Sequence, residues 1–235
     1  IGDLPEALAS GVDPIGQWDG DAPIFSPPCG YPMTHELAGK VRLLATPRYA
    51  APGCAGASYV SWIVVRRDDP AQNFADLRGR RAAFNSRDSQ SGYNVLRALA
   101  APMAKEGRFF AAEIQSGAHR KSMAMVAAGK ADVATIDCVS FALVARIAPE
   151  EVAGLRVLGA SAAAPALPYV TAAVTDNATA GRLQVGILAA CADPALADVR
   201  RALLIEGCEI LPRACYDVIL DMEQRAAAFG YPELG

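Results

Sequence analysis

The run Ser89-Gln90-Ser91-Gly92-Tyr93 places two hydroxyls and a glycine where an apolar strand gives way to an amphipathic helix. Such a junction suits a small oxyanion. The first amides of a helix have no intrahelical partners and its N-terminus carries about half a positive charge, so an anion there gains hydrogen bonds and favourable electrostatics. Each hydrogen bond to a charged group is worth about 1.5–3 kcal/mol, so three or four could offset the cost of desolvating a small dianion. Ser89 and Ser91 add donors, and Gly92 leaves the backbone open to close approach. An ordinary N-cap also accounts for a serine at this position.

A second segment, Ser116-Gly117-Ala118-His119, repeats the arrangement and puts one of the two histidines of the chain in a first helical turn. The helix dipole disfavours an imidazolium there unless an anion supplies the missing charge. A surface histidine bonded to water is the other reading. Asp137 closes a later apolar run, and in open α/β sheets ligands gather beyond the carboxyl ends of strands; capping a helix is its alternative role. Tyr59, beside a hinge position, joins Ser89, Gln90, Ser91, Gly92, Tyr93, His119 and Asp137 as a candidate ligand contact.

Other chemistries lack their motifs. Gly56-Ala57-Ser58-Tyr59-Val60 and Gly159-Ala160-Ser161-Ala162-Ala163 each miss the final glycine of a nucleophile elbow. Cys138 could meet His119, yet nothing flanking it resembles a thiol-enzyme signature. No glycine-rich nucleotide loop, H-E-x-x-H or EF-hand pattern occurs, and the six cysteines include no C-x-x-C pair. No cofactor, metal or catalytic residue is implied. Cys29 and Cys54 each adjoin a glycine in turn-rich sequence, the setting of a loop disulfide, and Cys191 and Cys208 bracket a helix in a similar way; buried free thiols are the alternative.

The elements that must position these residues read as an α/β chain. Hydrophobic residues make up 52% of the 235 and charged ones 20%, with a net charge of -3, so the chain can bury a core and shows no basic face for nucleic acid. Residues 41–45, 59–65, 81–84, 132–137 and 155–158 read as strands, the second apolar enough to lie inside a sheet. Helices follow the serine-rich turn and residue 116, the latter ending at Gly129. The order suggests parallel pairing. Asp193-Pro194 opens a further helix with Leu196, Val199 and Leu203 on one face and Gly207 at its end; the last helix carries Ile219, Met222, Ala226 and Phe229. Residues 1–32 show little periodicity. The uncharged run 157–175 holds Pro165 and Pro168, which favour a loop and a short buried strand over a membrane span.

Taken in order, these pieces resemble a known family. Cys29-Gly30-Tyr31-Pro32, Ala45-Thr46-Pro47, Pro52-Gly53-Cys54, Asp76-Leu77-Arg78-Gly79, Ser91-Gly92, Ser116-Gly117, Asp132-Val133-Ala134 and the Pro165, Pro168 pair are similar to the phosphate/phosphonate branch of ABC-transporter substrate-binding proteins. The resemblance covers roughly residues 29–174. It implies a type II periplasmic-binding-protein fold of two α/β lobes joined by crossing hinge strands, assigned to residues 59–65 and 169–174. Lobe one would take residues 1–67 and 168–235, and lobe two residues 68–167. Family members begin with a strand and a helix ahead of the region matching residues 1–32, so the first strand and helix of lobe one are expected to be lacking.

By the same resemblance residues 89–93 match the oxyanion-binding turn, His119 the binding histidine and Tyr59 a cleft tyrosine. Val139 and Leu167 stand where aminophosphonate binders place acidic residues, so an amine on the ligand is not expected, unless Asp137 substitutes for one. Phosphate, phosphite, an unaminated phosphonate or another small organic anion remain as ligands. The implied function is the substrate-binding component of an ABC importer, a periplasmic monomer that hands its anion to a membrane permease. The alternatives are an enzyme on the same fold, similar to thiamine-pathway pyrimidine synthases, and a ligand-sensing module of a signalling system. Those synthases need a cysteine cluster, and here the cysteines are scattered.

Overall fold

The computed structural model describes residues 25–234. Most of the irregular opening, and the strand and helix expected to be lacking ahead of it, lie outside these residues. A short helix α1 (Gly30–Thr34) precedes the long strand β1 (Val41–Tyr49), the hairpin β2 (Cys54–Ala55) and β3 (Ser58–Tyr59), and β4 (Ser61–Arg66). Next come β5 (Arg81–Phe84), a π-helical turn (Gln90–Asn94) that runs into α2 (Val95–Ala100), β6 (Ala112–Gln115) and α3 (His119–Ala127). β7 (Val133–Asp137), α4 (Cys138–Ile147), α5 (Pro149–Ala153) and β8 (Leu155–Ala160) complete the middle of the chain. The return consists of β9 (Ala164–Pro165), β10 (Tyr169–Ala172), α6 (Asn177–Ala192), α7 (Ala197–Ala202), β11 (Ile205–Glu209) and α8 (Asp217–Ala228).

These strands build the two-lobed α/β fold. One lobe holds a five-stranded sheet of order β6-β5-β7-β4-β8, the other the sheet β10-β1-β11, and the small sheet β2-β3-β9 lies between. Strand β4 sits inside its sheet, as its composition demands: Ile63, Val64 and Val65 are all buried, with layers of apolar side chains on both faces. Parallel pairing holds only for β5, which runs parallel to β6 and β7. Strand β4 is antiparallel to both β7 and β8, because the chain enters this lobe along it and crosses over it between those two.

The hinge differs in detail from the expected crossings. Ser58 and Tyr59 pair with Pro165 and Ala164, so the two passages of the chain lie side by side at β3 and β9. Strand β10, within the span expected to cross, is already part of the other lobe, paired with the first half of β1 while the second half takes β11. The uncharged run is thus the end of β8, β9 and β10, and no helix among the described residues is long and apolar enough to cross a membrane.

Near the C-terminus two expectations change. Gly207 ends no helix; it lies within β11 opposite Arg48, whose guanidinium would stand 2.8 Å from any Cβ at that position. A close approach, rather than a helix stop, explains the glycine. Leu196, Val199 and Leu203 share the short α7 region but are substantially exposed. Helix α8 buries Ile219 and Ala226 as expected and leaves Phe229 exposed. Its beginning packs with Tyr31, Met33, Leu37 and Val170, whereas Ala226, Tyr231 and Leu234 enter the core of the five-stranded lobe.

Helix α6 and strand β11 bring Cys191 Sγ within 2.7 Å of Cys208 Sγ. Given a disulfide oxidant, the two thiols should surrender two electrons and two protons and join. Closing a loop of this size stabilises by about 3 kcal/mol. Peptide mapping without reductant should recover the linked Cys191 and Cys208 peptides, and Cys208→Ser should lower the melting temperature only of oxidised protein.

Candidate functional site

The residue 89–93 turn begins with Ser89 in extended conformation, its Oγ accepting the Gly92 N–H at 3.0 Å. The Ser89 carbonyl accepts from both Tyr93 and Asn94, which widens the first turn into a π-helical one. Ser89, Gln90, Ser91 and Tyr93 are all buried. Gln90 donates its N–H to Cys29 Sγ and its side-chain Nε2 to Met222 Sδ, so two of the amides expected to face a ligand, at 90 and 92, already have protein partners. Gly92 also has a packing role: a Cβ there would stand 1.8 Å from Asn85 Oδ1.

Ser91 is where the candidate residues converge. Its Oγ lies 2.8 Å from His119 Nε2, and the buried Tyr59 hydroxyl lies close by. His119 is the first residue of α3, with Ala118 as an extended cap, so the helix starts three residues later than the motif predicts. Burial drops the His119 pKa to about 4, with the Thr135 carbonyl acting the other way. Burial likewise pushes the Tyr59 hydroxyl well above its ordinary value. His119 is therefore neutral at pH 7, and the turn meets an uncharged imidazole and two hydroxyls.

Asp137 ends β7 and caps α4, accepting the Ser140 N–H at 2.8 Å. Burial raises its pKa, and hydrogen bonds from Ser140 and Val139 oppose that rise. Its Oδ1 is thus committed to a helix start. Two positions that the motifs did not single out matter to the turn. Thr135, two residues earlier on β7, donates its hydroxyl to the Gly92 carbonyl at 2.8 Å, and Asn85 fills the space beside Gly92. Thr135 sits in an apolar strand, where only its alternation with Asp137 could have marked it.

Behind the turn lies Arg97, also missed. It donates to Asn94 Oδ1 at 2.5 Å and to the Pro232 carbonyl at 2.6 Å, and it pairs with Glu223 at 3.0 Å. Glu223 also accepts from Tyr31 and bonds His35 Nε2 at 2.7 Å. Desolvation would raise the Glu223 pKa, but these partners outweigh it and hold it low.

The expected pairing of Cys29 with Cys54 is not formed. Cys54 Sγ lies 3.5 Å from Cys138 Sγ, because the β2 hairpin packs on the start of α4, while Cys29 turns to the Gln90 amide. All six cysteines are free thiols.

Next to Asp137 opens a cavity of about 290 Å³, lined by Tyr49, Val139, Leu143, Leu167 and Ile205 among others. A larger one, about 580 Å³, lies among Arg87, Asp88, Arg97 and Glu233 and touches neither Ser91 nor His119. The smaller does not touch them either, but it borders Asp137, two residues along β7 from the Thr135 that holds the turn.

Residues 24–212 match the family described as ABC transporter, phosphonate, periplasmic substrate-binding protein. The chain belongs to that family. Among solved structures, the chain is similar to a protein from Xanthomonas citri bound to ATP, at a TM-score of 0.67 and 21% identity over 85% of this chain and 77% of that one. It is also similar to a binding protein component of an ABC phosphonate transporter from Pseudomonas aeruginosa, with a TM-score of 0.73, 17% identity and coverage of 88% and 69%. A third, from Prochlorococcus marinus in complex with methylphosphonate, gives a TM-score of 0.66 at 14% identity, with coverage of 80% and 72%. No curated protein matches the sequence.

Two outcomes follow from this geometry. Gly92→Ala forces the Asn85 side chain aside, and overpacking of this kind costs about 1–3 kcal/mol; chemical denaturation should show it. His119 binds a proton near pH 6.5 when unfolded and only near 4 when folded. Between those values the unfolded chain holds more protons, so the stability gained from the neutral imidazole is full above pH 6.5 and lost as the pH falls towards 4. His119→Gln should flatten that dependence, read from urea midpoints at pH 7 and 4.5.

Proposed function

We propose that this chain is the substrate-binding component of an ABC importer, which closes two lobes on a small oxyanion at the residue 89–93 turn. The observation that carries this reading is the convergence of Ser91, His119 and Tyr59 at the N-terminal end of a helix, in a chain of the phosphonate substrate-binding family. Ser91 comes from the five-stranded lobe and Tyr59 from the hinge, so a ligand at Ser91 would sense closure directly. On binding, an oxyanion takes the place of His119 as the partner of the Ser91 hydroxyl. Phosphonate, phosphate, phosphite and related organic anions all present the oxygens this needs. Methylphosphonate is the ligand of one structural relative.

The lobes in this reading are residues 1–67 with 168–235, and residues 68–167. Strand β4, which pairs within the five-stranded sheet, and the carboxyl end of α8 both cross that division. The partners are the small anion and a membrane permease, the compartment is the periplasm, the protein acts as a monomer, and transfer involves no covalent step.

The test is a thermal-shift and calorimetry panel of phosphate, phosphite, sulfate and methylphosphonate. A ligand at a hundred times its Kd adds about 2.7 kcal/mol, a rise of several degrees for a chain of this size. Ser91→Ala should weaken the best ligand at least tenfold, in keeping with a lost hydrogen bond to a charged group. A flat panel at millimolar anion would refute the reading.

A further inference from the structure

We infer that the ligand carries an apolar tail, seated in the cavity between β7, α4 and the β10–β11 side of the cleft, while its oxyanion occupies the residue 89–93 turn. The inference rests on the oxyanion reading and names the class of ligand: short alkyl or aryl phosphonates and related organic anions without an amine.

Position comes first. Thr135 and Asp137 are two apart on β7 and so face the same side, about 7 Å from one another. Thr135 holds the Gly92 carbonyl, and Asp137 lines the cavity. Tyr59, whose hydroxyl lies near Ser91, packs in the same cluster as Val139, Leu143 and Leu167. The polar turn and the apolar cavity are therefore neighbours along one strand face, at the separation of a headgroup and a short substituent.

The lining fixes the chemistry. Val139, Leu143, Leu167, Leu203 and Ile205 supply aliphatic walls, and Tyr49 and Tyr169 add aromatic ones. Asp137 is the one carboxylate among the described lining residues, and its Oδ1 is engaged at the start of α4 by the Ser140 N–H. An ammonium placed here would lose its water among aliphatic walls and meet a single carboxylate already capping a helix, a costly exchange. A methylene chain loses nothing and leaves water. At about 290 Å³ the space is roughly ten times the share of one liquid water, ample for several carbons.

Calorimetry on the intact protein at pH 7 with inorganic phosphate and methyl-, ethyl-, propyl- and 2-aminoethylphosphonate decides the matter. Each buried methylene should tighten binding roughly fourfold, so propylphosphonate should exceed methylphosphonate by about an order of magnitude, and ethylphosphonate should exceed 2-aminoethylphosphonate at least tenfold. Leu143→Phe, which fills the cavity without adding charge, should weaken propylphosphonate and spare methylphosphonate. Leu167→Asp, if it folds, should shift preference towards the amine. Equal affinity across the alkyl series, or 2-aminoethylphosphonate binding as tightly as ethylphosphonate, overturns the apolar tail while leaving the oxyanion site standing. Binding of no anion at all removes the oxyanion site and the tail with it.

Discussion

Arg97 carries a permanent positive charge to a position where 3% of the residue meets solvent, and a charge buried without partners costs several kcal/mol. The surrounding architecture answers that cost. Asn94 comes from the π-helical turn, Glu223 from α8, Pro232 from beyond it, and the Glu223 carboxylate is steadied in turn by Tyr31 and His35 beside α1. The guanidinium also lies over the Tyr93 ring. The helix that presents Ser91 is thus anchored at its back to elements from both ends of the described chain. Its front can then hold hydroxyls in fixed directions.

The front of the turn works by a different principle. Burial keeps the imidazole of His119 neutral, and it raises the pKa values of Tyr59, Asp137 and Cys29. No formal cation faces Ser91 in the contacts described. Hydroxyls, amide dipoles and the helix terminus carry the electrostatics, and in a site shielded from water such dipoles act far more strongly than they would at a surface. In the proposed oxyanion reading, a cradle of this kind would tolerate a range of headgroups and leave discrimination to the walls beyond it.

How far the sequence revealed this depended on the range of each signal. The apolar block at Ile63, Val64 and Val65 has one physical solution, the inside of a sheet, and β4 takes it. Ser89 announces a helix start through local chemistry, and the cap bond to Gly92 is there. Direction of pairing was less legible: β4 runs antiparallel because of where the chain enters the lobe, a property of topology with no local signature. Gly207 misled because a glycine after a helical pattern and a glycine beneath an arginine look alike in one dimension. Cys54 found Cys138 rather than Cys29 for the same reason, its partner being set by how a hairpin packs on a distant helix. Arg97 and Thr135 were invisible as site-supporting residues, since Pro232 lies 135 positions from the one and Gly92 43 from the other.

The path of α8 has a further consequence, for how the molecule comes apart. Ala226, Tyr231 and Leu234 enter the core of a lobe whose other core residues lie between positions 63 and 133. Ile219, on the same helix, is buried in the core beside Tyr31 and Val170. One rigid element thus belongs to two hydrophobic interiors, and opening either exposes part of the other. The lobes should therefore melt as a coupled pair.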